Sequence, residues 1–339
     1  MFAACLALLS AAVVRLMIRV GALDHPGARS SHTQPTPKGG GVGIMVAFVV
    51  GLLALYGMAG RARVPDVPFL GLIAASVLIA AVSWYDDLKD WPFSVKLGAQ
   101  CAAALVAIAC GIRLHVVHLP LLGAVDTGWL GVPLTAAWIV FATNAVNFID
   151  GLNGLASGSV GIACVFLGAI ALGQDDWFVV AASLTLAAGI AGFLPYNFPR
   201  ARIFMGDVGS QSCGFVVASL GVLAAGYGAQ TLSVLLVPIL LAGILFDVVF
   251  TLARRFLAGQ RVTEAHRGHL YQVVTRAGLP AETVALIYWG MAAWGGLCIL
   301  AFAGHPAAWA GLMTCVILPQ LAWLAFVALR ARQSAVTEW

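Results

Sequence analysis

Three carboxylates, Asp86, Asp87 and Asp90, fall within five residues, between two long apolar runs at 67–82 and 97–110. Adjacent carboxylates repel each other unless a cation or a proton is shared. Charge at the end of an apolar span is costly unless it faces water, an ion or another charge. The combination points to a cation site, most simply Mg²⁺ holding a phosphorylated substrate, because hard divalent cations select oxygen ligands. A solvated helix end is the plainer alternative. Asp90 follows Asp86 by four residues and shares its face if the helix continues.

Four further polar stretches interrupt the apolar chain. In 24–41, Arg29 and Lys38 accompany the glycines Gly39, Gly40 and Gly41. Such a loop brings backbone N–H groups and a cation to phosphate oxygens, or merely closes a turn. In 144–154, Asn144 and Asn147 share a helical face, and Asp150 and Asn153 stand in a Gly-rich turn that lets backbone approach a ligand closely. Buried amides must find partners, so helix-to-helix hydrogen bonding competes with ligand binding at Asn144. In 204–210, Asp207 lies between Gly206 and Gly209 at a helix start. A metal-bound phosphate fits there, and so does simple capping by Asp207. Phe204 stacks on a base only if the ligand is a nucleotide. In 264–272, His266 and His269 flank Arg267; two histidines three apart do not make a metal site, and diphosphate recognition suits the trio better. Asp247, inside an apolar run, is suspect for the same reason as the first cluster.

The elements that carry these stretches follow from composition. The 339 residues are 61% hydrophobic and 9% charged, with mean hydropathy +0.97. Soluble proteins carry roughly 25% charged residues, so a water-soluble globule is excluded. The net charge of +4 says little about partners. About 20 apolar residues span the hydrocarbon core as a helix. That length predicts eleven spans, near 2–22, 41–59, 67–85, 94–113, 131–149, 154–173, 177–195, 209–227, 231–252, 282–303 and 307–329. The fold class is an all-α polytopic membrane bundle forming a single domain, 1–339. The first apolar run has no basic stretch before it and reads as a retained helix rather than a signal peptide. The seven cysteines lie almost entirely in apolar runs without metal spacing and read as small fillers. Segment 115–129 alternates loosely and contains Gly123 and Gly128, which predicts a small hairpin.

Eleven spans put fifteen basic residues on one side and only Arg61, Arg63 and Arg113 on the other. Basic residues concentrate on the cytoplasmic side, so the N-terminus is expected outside and the C-terminus inside. All five polar stretches then face the cytoplasm.

Asp86-Asp87-x-x-Asp90, Asn144-x-x-Asn147-x-x-Asp150-Gly-Leu-Asn153-Gly, Phe204-Met-Gly-Asp207-x-Gly-Ser210 and His266-x-x-His269, in that order, resemble the polyprenyl-phosphate N-acetylhexosamine-1-phosphate transferase superfamily. This is glycosyltransferase family 4, here its WecA/WbpL-like branch, related to MraY. The resemblance covers most of the chain. It implies an Mg²⁺-dependent enzyme, Mn²⁺ being the alternative ion, in the bacterial inner membrane. Its partners would be a UDP-N-acetylhexosamine, undecaprenyl phosphate and the bilayer. Nucleic acid is not expected, and a homodimer is left open. The products would be undecaprenyl-diphosphate-sugar and UMP. By resemblance Asp207 is the principal metal ligand, with Asp87 assisting, and Asp86 is the base that deprotonates the lipid phosphate. Asn147 and Asp150 line the nucleotide and diphosphate site, Asn153 lies near the base, and Phe204 stacks on uracil. Lys96, Lys38, His266, Arg267 and His269 meet phosphate or sugar.

Two features depart from the WecA-like and MraY patterns. His269-Leu270-Tyr271-Gln272 replaces a His-x-His-His run, and Asn153 stands where a second aspartate is common. The WbpL-like form fits better and implies initiation of O-antigen or a related surface polysaccharide. A WecA-type UDP-N-acetylglucosamine transferase serving another envelope glycan is the nearest alternative. A transporter or flippase of an anionic metabolite is the rival from another class. It would place polar residues near the midplane on broken, repeated helices.

Overall fold

A computed structural model describes residues 1–24, 34–59, 66–89, 91–119, 123–227, 234–261, 264, 266–302, 308–334 and 336. Asp90, Arg29, Arg61 and Arg63 lie outside the described residues. In hydrocarbon each backbone N–H and C=O must pair within its own segment, so the apolar runs become helices. These are α1 (Phe2–Val20), α2 (Gly41–Ala59), α3 (Asp66–Lys89), α4 (Phe93–Ala109), α5 (Gly131–Ile149), α6 (Leu155–Leu172) and α7 (Trp177–Phe193). They continue as α8 (Gly206–Tyr227), α9 (Leu236–Leu240), α10 (Ala242–Leu257), α11 (Leu270–Arg276), α12 (Ala281–Phe302) and α13 (Trp309–Gln333).

Among the described residues nine helices, not eleven, are long and apolar enough to cross a membrane: α1, α2, α3, α5, α6, α7, α8, α12 and α13. The expected span 94–113 is the 17-residue α4, closed by Gly111 at φ 91°. The expected span 231–252 breaks at Leu241 (φ −101°, ψ 17°) into α9 and α10. The two pieces are five and sixteen residues long. The run expected to end at residue 85 continues as helix through Lys89, so Asp86 and Asp87 sit in the last turn of α3 rather than beyond it. The loop expected over 254–278 contains α11.

The core is built round α8, which is buried on every side and packs against α2, α3, α5, α6 and α7. Small residues allow that approach, since helices in lipid associate by close packing rather than by hydrophobic drive. A Cβ on Gly214 would stand 2.9 Å from the Cα of Thr143 on α5, and one on Gly41 would collide with the backbone of Gly209.

Two small ladders complete the fold. Strands β1 (Leu23–Asp24) and β2 (Thr36–Pro37) pair antiparallel, and so do β3 (Val116–Leu119) and β4 (Gly123–Asp126). The second pair is the hairpin expected over 115–129. The first is stitched to the segment before α8: Phe204 donates its N–H to Pro37 at 2.8 Å, and Gly40 and Gly41 donate to Phe204 and Met205 at 2.9 Å.

Asp247 on α10 is fully buried and gathers five donors or ring contacts. Its carboxylate accepts the N–H groups of Leu270 (2.9 Å) and Tyr271 (3.1 Å), the hydroxyls of Tyr288 (2.5 Å) and Thr251 (3.2 Å), and faces His269 Nδ1 at 3.0 Å. It therefore caps α11 from a neighbouring helix. The suspicion attached to Asp247 resolves into this anchoring contact. Asp247→Ala strands these groups and is expected to destabilise the fold by about 3 kcal/mol. The readout is the thermal midpoint in detergent, and an unchanged midpoint would show that the cap does not hold α11.

Candidate active site

The first turn of α8 has N–H groups with no partner inside the helix. Asp87, from the last turn of α3, supplies one. Its Oδ1 accepts the Asp207 N–H and its Oδ2 the Val208 N–H, both at 3.1 Å. Gly206 makes the entry turn at φ 72°, and a Cβ there would lie 2.6 Å from Asp87 Oδ2. The capping that was the plainer alternative for Asp207 is done by Asp87, which leaves the Asp207 side chain available to the site.

That side chain is held by three donors. Lys96 Nζ and Gln211 Nε2 reach Oδ2 at 3.0 Å, and Asn147 Nδ2 reaches Oδ1 at 3.1 Å. Lys96 also pairs with Asp86 Oδ2 at 2.5 Å, so one ammonium bridges two carboxylates from different helices. Asp86 is 2% exposed and accepts the Trp91 N–H at 2.8 Å. Gln100 and Asn144 bond each other across α4 and α5, and Gln100 donates to Gln211 at 3.0 Å. Asn144 therefore makes the helix-to-helix bond, while Asn147 reaches Asp207 and Ser210.

A cleft of about 520 Å³ opens beside this cluster. Asp87, Asn147, Asp150 and Asp207 line it, and Lys38, Arg267 and Arg276 bring positive charge to the same space. Phe204, Asn153 and Asn197 also line it. Asn153 donates to the Pro199 carbonyl at 3.1 Å, and Asn197 ties the two neighbouring turns by accepting from Gly154 (2.6 Å) and donating to Ile203 (3.0 Å). Burial, reinforced by the charges of Asp207 and Asp87, pushes the Asp150 carboxyl well above the usual range. Tyr271 donates its hydroxyl to the Phe148 carbonyl at 3.1 Å, and burial raises its phenol so that it stays a neutral donor.

Of the residues singled out from sequence, Asp87, Asp207, Asn147, Asp150, Asn153, Phe204, Lys38 and Arg267 meet at the cleft. Asp86 and Lys96 stand behind it, joined to it through Asp207. His266 and His269 are not among the lining residues. His269 is 4% exposed, and His266 stacks on it at 5.0 Å. Burial first, then His269, Arg255 and Arg254, hold the His266 imidazole down to about 4. The lining residues not singled out include Asp24, Asn197, Gln272, Thr275 and Arg276. Gln272 and Arg276 follow Arg267 in chain order and are carried to the cleft by α11, which a loop reading does not show.

The donor set suits a hard divalent ion. Among the described residues no three His, Cys, Asp or Glu side chains form a ready-made metal cage. Mg²⁺ needs none, since it keeps several waters and takes one or two carboxylates plus substrate phosphate. Asp207 and Asp87, with Asp150 beside them, supply that number of carboxylates.

The model of glycosyl transferase family 4 matches residues 69–225, from α3 through α8. The chain is 32% identical over 277 residues to a probable undecaprenyl-phosphate N-acetylglucosaminyl 1-phosphate transferase of Bacillus subtilis (strain 168), covering 81% of this chain and 75% of that one. It is 35% identical over 299 residues to a decaprenyl-phosphate N-acetylglucosaminephosphotransferase of Mycolicibacterium smegmatis, with 80% and 73% covered. It is also 30% identical over 286 residues to a phospho-N-acetylmuramoyl-pentapeptide-transferase of Acetivibrio thermocellus, with 79% and 81% covered. With Asp87, the Asn147–Asp150 turn and Asp207 assembled on one cleft of a multi-span bundle, the chain belongs to glycosyl transferase family 4, the polyprenyl-phosphate N-acetylhexosamine-1-phosphate transferases.

Proposed function

We propose that this protein transfers N-acetylglucosamine 1-phosphate, or that of a related N-acetylhexosamine, from its UDP form to undecaprenyl phosphate. UMP is the other product. The observation that carries this reading is the joint placement of Asp87 and Asp207 at the start of α8, in one cleft with Lys38, Arg267 and Arg276. Carboxylates and cations lining the same space suit a diphosphate with its counter-ion. The N-acetylglucosamine named for the relatives in Bacillus subtilis and Mycolicibacterium smegmatis makes that sugar the first to test.

In the reaction an acceptor phosphate oxygen bonds to the sugar-bearing phosphorus while the bond from that phosphorus to the UMP oxygen breaks. Both reactants are anionic, so their approach is repulsive. Asp207 and Asp87 would hold Mg²⁺, or Mn²⁺ in its place, and the ion would offset the diphosphate charge and stabilise UMP as it leaves. Lys38, Arg267 and Arg276 bind the phosphates, Phe204 stacks on uracil, and Asn147, Asp150 and Asn153 complete the nucleotide pocket. Asp86 is the candidate base toward the acceptor. Because Lys96 pairs with it, base action requires Lys96 to shift onto the incoming phosphate. His266 and His269 act from behind, by holding the segment that carries Arg267.

The bias of basic residues, counted on the eleven expected spans, supports a cytoplasmic position for the cleft, where a lipid phosphate and a soluble nucleotide meet. The departures at 269–272 and Asn153 favour a surface polysaccharide such as O-antigen as the pathway served. Clustering of the cleft residues at one end of the bundle speaks against a transporter, which would hold them near the midplane on broken, repeated helices.

Purified protein with Mg²⁺, undecaprenyl phosphate and a panel of UDP-N-acetylhexosamines is expected to release UMP with at least one donor. Absence of UMP with every donor would refute the reading. Asp207→Asn is expected to lower turnover by about 100-fold or more, and near-normal turnover would remove Asp207 from the metal site. His266 gives a pH prediction. Its folded value, about 4, lies below the ordinary 6.5, so between the two the unfolded chain binds more protons and stability rises with pH. The His266 contribution is therefore complete above about 6.5 and lost as pH falls toward 4. His266→Gln should flatten the thermal midpoint between those limits, and an unaltered slope would contradict the assignment.

A further inference from the structure

Tyr196 closes the short 3-10 turn after α7, and the next residue, Asn197, lines the cleft. Two arginines from distant parts of the chain converge on it. Arg15, in the last third of α1, donates Nε–H to the Tyr196 hydroxyl at 2.6 Å, and its guanidinium carbon lies 5.8 Å from the ring centroid. The Arg202 guanidinium lies 5.6 Å from the same centroid, and the Arg202 N–H donates to the Tyr196 carbonyl at 2.8 Å. Both side chains are exposed, and among the described residues neither has a carboxylate partner. Arg19 stands one helical turn beyond Arg15, and Arg200 two residues before Arg202; both are exposed too.

Two like charges braced on one ring repel unless an anion joins them. What borders them indicates which anion. The exposed face of α1 is apolar, with Leu8 at 70%, Leu16 at 55% and Val20 at 65%. A cation pair at the end of a membrane helix, flanked by open apolar surface, matches a phosphate headgroup with acyl chains below it. A soluble anion would use the charges alone and make no contact with this bilayer-facing apolar surface.

We propose that Arg15 and Arg202, braced by Tyr196, bind the phosphate of an anionic phospholipid, whose chains lie along α1. This site is separate from the catalytic cleft and does not rest on the transferase reading. It has a path to the cleft, since Tyr196 adjoins Asn197, which holds the turns at Gly154 and Ile203. Lipid occupancy would steady that bridge.

Native mass spectrometry of the full chain in detergent tests this without any turnover. Phosphatidylglycerol and phosphatidylcholine with identical acyl chains are supplied at equal concentration, and no undecaprenyl phosphate is present. Wild type is expected to retain phosphatidylglycerol preferentially. A cation near an anionic lipid contributes about fivefold, so Arg15→Gln with Arg202→Gln should cut phosphatidylglycerol retention on the order of 25-fold. Arg15→Lys with Arg202→Lys keeps the charges and should retain the preference, which separates lost charge from lost folding. Inorganic phosphate in molar excess should not displace the lipid. Equal retention of both lipids by wild type overturns the proposal, and that comparison needs no variant. An undiminished preference in the folded glutamine variant overturns it as well, and displacement by phosphate shows a soluble-anion site instead.

Discussion

The contact on which the site depends is the Asp87 carboxylate against the first turn of α8. A buried carboxylate is costly unless donors satisfy it, and the N-terminus of a helix offers N–H groups and a favourable dipole. Asp87 takes both N–H groups and in doing so pins α3 to the most buried helix of the bundle. The same contact brings two carboxylates, Asp87 and Asp207, to neighbouring positions. Their repulsion is offset from below by Lys96, Asn147 and Gln211, which together engage both oxygens of Asp207. A divalent ion arriving from the cleft would complete an arrangement already balanced on its protein side.

The remaining walls are tied to this floor by bonds that each engage a backbone group. The segment 36–41 bonds Phe204 and Met205, Asn197 joins the Gly154 turn to Ile203, and Tyr271 reaches the Phe148 carbonyl. The wall carried by α11 depends on Asp247, which lies outside the cleft and caps that helix from α10. The cations Arg267 and Arg276 are thus placed by a carboxylate that takes no part in binding, which gives one physical reason for a buried acid inside an apolar run.

Much of the architecture was legible in the sequence because the bilayer permits few solutions. A long apolar run must become a helix, and α2, α5, α6, α7, α12 and α13 lie close to the expected limits. Two runs are exceptions: one breaks at Leu241, and α4 stops before Gly111. The hairpin at 116–126 was readable from loose alternation and two glycines. Helix α11 was not, since seven residues are too few to show a period and its stability comes from the Asp247 cap.

For the site, the sequence by itself determined which residue types were present and that they clustered between spans. Apolar solvent leaves acids, amides and histidines few places, so Asp86, Asp87, Asn147, Asp150, Asp207 and Arg267 stood out. Their division of labour was decided only by tertiary structure. Asp86 and Asp87 are adjacent in sequence and on the same helix, yet one turns to Lys96 and the other to the start of α8. His269 and Arg267 belong to one motif, yet His269 is turned inward to Asp247 while Arg267 lines the cleft. Successive residues on a helix point about 100° apart, and what each meets depends on which neighbour packs there. That neighbour comes from more than a hundred residues away for Asp87 and about twenty for His269, a pairing that no local spacing encodes.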